Sequence, residues 1–160
     1  MDRIDKILNH DLFLCHLRKN NAAEADRRFC RHSMVHFLDV ARIGTIIALE
    51  EGLELDREWI YAAALLHDCG KHEQYENGTP HEQASARIAP EILKDCGFDD
   101  KETDVIVTAI SRHRDPEAAK EKNLNGVLYR ADKARRACFA CDAEKDCNWK
   151  DGKKNLTIRY

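Results

Sequence analysis

The sequence has no long apolar run. Its longest nearly unbroken stretch, residues 59–66, spans eight residues, whereas a membrane span needs about twenty. No membrane partner is expected. An excess of charge of one sign is also missing. Lys and Arg number 26 and Asp and Glu 29, for a net charge of −3. A binder of nucleic-acid polymers would carry a basic surplus. No repeat or low-complexity tract occurs, and Gly and Pro number only 7 and 3. Residues 1–13 mix acids and bases with apolar side chains, which is not the pattern of a secretory signal. A cytoplasmic location is expected, and with it thiols or metal ligands rather than a disulfide framework. What is present is 43% hydrophobic residues, enough to exclude disorder. The 160 residues suit one domain, 1–160. Eight His and seven Cys are the composition's main surplus.

Apolar spacing is helical almost throughout. Ile4, Ile7, Leu8 and Leu12 form a stripe that predicts a first helix over 2–18. Val35, Leu38, Ile46 and Leu49 predict a second over 27–50. Asp56 can cap a third, 57–69, whose end is apolar all round and belongs in the centre of the domain. Residues 70–80 read as a polar loop with Asn77-Gly78. A fourth helix runs from Pro80 or His81 to near Gly97, kinked at Pro90. Asp99 and Glu102 suit a capping box for a fifth, 100–113. After a second polar loop, a sixth covers 127–141. The expected fold class is all-α: one bundle of about six helices with its core in 27–140 and an irregular Cys-containing tail, 138–160.

His67-Asp68, followed by Cys69-Gly70-Lys71, ends the most apolar helix. Burying a carboxylate and an imidazole costs several kcal/mol unless something pairs with them. A divalent metal binds both. His32, His81, His113 and Asp132 lie on other predicted elements, and a helical bundle assembles an internal site in that way.

With Arg31-His32-Ser33, His67-Asp68-Cys69-Gly70-Lys71 and Ala131-Asp132-Lys133, the chain resembles the HD-domain superfamily of metal-dependent phosphohydrolases. The additional His81 and His113 make it similar to the bacterial HD-type hydrolases that split diadenosine tetraphosphate symmetrically. The resemblance implies two metal ions, iron first and manganese next. His32, His67, Asp68 and Asp132 would hold one; His81 and His113 would hold the other, with Asp68 bridging. It further implies hydrolysis of a small phosphorylated substrate, a nucleotide or similar metabolite, by a metal-activated water. Asp68 would orient that water, and Lys71 would neutralise phosphate. Arg112, Arg114, Arg135 and Arg136 are candidates for further phosphate contacts, because guanidinium matches phosphate oxygens bidentately. Part of the superfamily uses the same ligand set in di-iron oxygenases. A metal-bound regulatory domain without turnover is a third reading. Oligomeric state stays open.

Of the other histidines, His36 is expected to pack behind His32, and His72 lies in a loop. His10 and His16 carry no spacing argument. Cys138-x-x-Cys141-x5-Cys147 is a candidate second metal site, suited to structural zinc or an iron–sulfur cluster. Its fourth ligand could be Cys15, Cys30, Cys69 or Cys96, and the sequence does not choose among them.

Overall fold

The computed structural model describes residues 1–160. Eight α-helices and short 3₁₀ turns make up the fold, with no strand. The helices are α1 (Asp2–Leu8), α2 (Asp11–Ala23), α3 (Met34–Glu50), α4 (Arg57–Leu66), α5 (Lys71–Asn77), α6 (His81–Asp95), α7 (Asp100–Arg112) and α8 (Leu124–Ala134). None is long and apolar enough to cross a membrane.

Helix α4 occupies the middle, as its all-round apolar end requires. Ala62, Ala63, Ala64, Leu65 and Leu66 are fully buried. Helices α3, α7 and α8 pack around it, and Phe13, Phe37, Ile47, Ile92, Ile106 and Val127 complete the core. Helix α7 carries the expected capping box: Asp99 accepts from the Glu102 N–H and Glu102 accepts from the Asp99 N–H. Pro90 lies inside α6.

Four element boundaries differ from expectation. The first helix is two, because His10 interrupts it and caps α2 by accepting from the Leu12 N–H at 3.2 Å. The second begins only at Met34. Ahead of it, side chains satisfy the backbone in place of helical bonds: Glu24 accepts from the His32 N–H, and Arg27 donates to the Cys30 carbonyl. The polar stretch after Gly70 is helix α5, closed by Gly78 at φ 81°, where glycine meets no steric cost. Asn20 of α2 fastens its start, donating to Asp68 O and accepting from the His72 N–H, both at 2.8 Å. The last helix starts three residues earlier than expected, because Asn123 accepts from the Asn125 and Gly126 N–H groups, and it stops at Ala134. Beyond it the tail has only 3₁₀ turns.

Candidate metal centre

His67 caps the C-terminus of α4, and Asp68 follows in the turn. Both are buried. His36 comes from the first turn of α3, Asp132 from α8, His81 from the start of α6 and His113 from the end of α7. Five elements thus converge on one point. Two groups of side chains have ligand atoms within 4.8 Å of one another: His36, His67, Asp68 and Asp132, and then Asp68, His81 and His113.

Asp68 belongs to both, one oxygen to each. Its Oδ2 lies 3.1 Å from His67 Nε2 and 3.2 Å from His36 Nε2. Its Oδ1 lies 3.2 Å from His81 Nε2 and 3.6 Å from His113 Nε2. Asp132 Oδ1 sits 3.7 Å from His36 and 3.8 Å from His67.

The ring orientations suit a cation. His67 Nδ1–H donates to Ala64 O and His113 Nδ1–H to Ile110 O, each at 2.7 Å. That fixes the tautomer and leaves Nε2 as a lone pair aimed inward. His81 Nδ1 is 2.5 Å from Gln74 Oε1, which orients its ring in the same sense. As a result, nitrogens face nitrogens: His36 and His67 at 3.1 Å, His81 and His113 at 3.2 Å. Asp68 Oδ1 is buried without a hydrogen bond. Converging lone pairs beside an orphaned carboxylate oxygen are the donor set of a divalent metal.

The electrostatics call for positive charge at the same place, where a proton on His67 Nε2 stands in for a cation. Burial opposes a charge on His67, yet the Asp68 and Asp132 carboxylates hold its proton up to about 10. Burial also works against ionised Asp68, but His67 and His32 keep it well below the carboxylate range. Asp132 stays low through His67 and Lys133, again against burial. Burial drives His36 down to about 4 and His81 to about 3. One buried and one half-buried carboxylate thus demand positive charge at the point where the imidazoles converge.

His32 falls outside both groups. It lies in the segment before α3, with Nδ1 2.6 Å from Glu24 Oε1 and Nε2 3.8 Å from Asp68 Oδ2. His36 takes the central place expected for it. The available signal was the buried face of α3: His36, Val40, Ala41, Gly44 and Ile47 follow helical spacing.

Above the centre opens a cleft of about 200 Å³ whose walls include Arg27, Arg31, Lys71, Arg114, Lys133, Arg135 and Arg136. The acids lining it are Asp68 and Asp132 alone. Lys71 is buried, its Nζ 3.2 Å from His81 Nδ1. Arg136 stacks on Trp149 at 3.9 Å. Arg112 is not among the residues lining the cleft. It turns away from the cleft to bind Asp115 and Glu121 at 2.8 and 2.5 Å, and so clamps the loop after α7. Cys138, Cys141 and Cys147 are free thiols that form no group within 4.8 Å.

The HD domain family matches residues 34–148, a span that holds both halves of this centre. The chain belongs to the HD-domain family. Members of this family are generally metal-dependent hydrolases, and the buried His–Asp cluster is one that can bind metal. An uncharacterized protein of Clostridium beijerinckii (strain ATCC 51743 / NCIMB 8052) is 47% identical over 160 residues, covering the whole of both chains. No solved structure matches significantly.

Proposed function

We propose that this HD-domain protein is a phosphohydrolase that cleaves a phosphate ester or anhydride of a nucleotide or a similarly small metabolite. The observation that carries the reading is a carboxylate-bridged pair of imidazole groups at the floor of a basic cleft, on a chain whose net charge is −3. Attraction for anions is therefore local. His36, His67, Asp68 and Asp132 would hold one ion, and Asp68, His81 and His113 a second, with iron or manganese suited to this mixed nitrogen and oxygen set. Such ions lower the pKa of water and neutralise phosphoryl charge. The protein's own part is positioning. Asp68 sets the spacing of the halves and orients the attacking water. The backbone carbonyls of Ala64 and Ile110 hold His67 and His113 in one tautomer. Lys71, Arg114, Arg135 and Arg136 line the cleft and would meet phosphate oxygens there. The pairing of His81 and His113 with the HD residues makes symmetrical dinucleoside polyphosphates the first substrates to try.

The test is phosphate release from nucleotides, dinucleotides and sugar phosphates with added manganese or iron, alongside metal analysis. His67→Ala and Asp68→Ala should lose bound metal and drop turnover by roughly 100-fold or more, since even outer partners of a metal site act on that scale. Full metal content and turnover in both variants, or no hydrolysis of any phosphate ester by the loaded protein, would overturn the reading.

A further inference from the structure

The cysteines of the tail stand around a cavity that the metal centre does not use. This cavity, about 350 Å³, is lined by Cys138, Cys141 and Cys147, and also by Cys30. Cys30 comes from the irregular segment ahead of α3, more than a hundred residues away in sequence. The other candidates for a fourth ligand are elsewhere: Cys69 and Cys96 are buried in the core, and Cys15 lies on α2. An ion pair holds the Cys30 segment to the tail. Arg28 binds Asp146 at 2.5 Å, and Arg27 and Arg136 both line the cavity.

We propose that Cys30, Cys138, Cys141 and Cys147 hold an iron–sulfur cluster of the four-iron type. The spacing favours this over zinc. Zinc at about 2.3 Å from each sulfur draws four thiolates to roughly 3.8 Å from one another. No three of these sulfurs lie within 4.8 Å of one another, although all four line one cavity. A cubane takes one cysteine on each corner iron and spreads its ligands wider than one ion does.

The centre has a structural task in this chain. After Ala131, only Arg136 and Ala143 are buried, so no apolar core fixes the tail. A metal cross-link substitutes for such a core in small, loop-rich segments. It would fix a wall of the cleft as well, because Arg27, Cys30, Arg136 and Trp149 line both the cavity and the cleft.

The full chain should be purified without oxygen, reconstituted with equal amounts of ferrous and ferric iron and with sulfide, and analysed for iron and acid-labile sulfide. Sulfide reports the cluster alone, since the His–Asp centre holds none. About four sulfides per chain are expected, with the broad visible absorbance of a cluster. Cys30→Ser and Cys141→Ser should lose the sulfide, and Cys15→Ser should keep it. Asp68→Ala should keep it too, so failure of the phosphohydrolase reading leaves this result distinct. Far-UV circular dichroism checks that each variant stays helical. Absence of sulfide from the reconstituted wild type, stoichiometric zinc in its place, or wild-type sulfide in helical Cys30→Ser would overturn the proposal.

Discussion

Two histidines stand four residues apart ahead of Asp68, and they have different surroundings. His36 is buried with Nε2 3.1–3.2 Å from His67 and Asp68. His32 faces the cleft, and its Nδ1 is held by Glu24, which also accepts from Tyr75 Oη at 2.7 Å. His36→Ala is therefore expected to empty the first half of the centre, while His32→Ala retains both ions and raises KM for a phosphate substrate. Metal analysis of the two variants checks this, and equal metal loss in both would restore His32 to the ligand set. The choice between them was not legible in the sequence. A continuous helix over 27–50 puts both on one face a turn apart. Only the backbone bonds of Glu24 and Arg27 show that the helix starts after His32. His67 and Asp68 were legible as candidates because they end an apolar helix; His81, His113 and Asp132 were legible because they sit on separate predicted elements and match the HD pattern. Arg112 was read as a phosphate contact because sequence places it beside His113 but does not show its partners Asp115 and Glu121.

At the scale of elements, the turn from α4 to α5 is set by contact with α6. A Cβ on Gly70 would lie 2.7 Å from Ala84 Cβ and 2.8 Å from the backbone of Ala84 and Ser85. The Gly70 N–H also donates to Ser85 Oγ at 3.0 Å. No flexible side chain can yield there. Gly70→Ala should push α6 away and cost about 1–3 kcal/mol, the usual range for overpacking. Because α6 begins with His81, the same variant should lower occupancy of the second metal position more than that of the first. Thermal unfolding and metal stoichiometry measured together check this; unchanged values for both would refute the contact. Helix α5 itself escaped the sequence reading for a physical reason. Its seven residues, Lys71–Asn77, have no apolar stripe. The helix depends on Asn20, which bonds both Asp68 O and the His72 N–H from another element. The other helices carry their own stripes or caps, and their order was legible from those.

At the scale of the whole molecule, acid acts on one buried and one half-buried polar joint outside the metal centre. His16 of α2 sits 2.8 Å from His72 of α5, and burial and the neighbouring His72 lower its pKa to about 4. Glu102 ties three helices together. It accepts from Arg3 of α1 at 2.8 Å and from Trp59 of α4 at 2.9 Å, and it caps α7. Burial opposes its charge, but these bonds, led by Arg3, bring its pKa down to about 2. Both folded pKa values lie below the unfolded ones, so the unfolded chain takes up protons first. The stability from each group is present above the unfolded pKa and is lost as pH falls through the folded one. For His16 that window runs from 6.5 to about 4, and for Glu102 from 4.5 to about 2. Glu102→Gln is expected to weaken the cap and the Arg3 bond, costing about 1 kcal/mol at neutral pH, or roughly 3 °C in melting temperature for a chain of this size. It should also flatten the fall of melting temperature below pH 4.5. His16→Phe should leave that lower slope intact and flatten the one above it. Melting curves of both variants against pH decide the matter, and wild-type slopes in both would show that these joints do not carry the acid sensitivity.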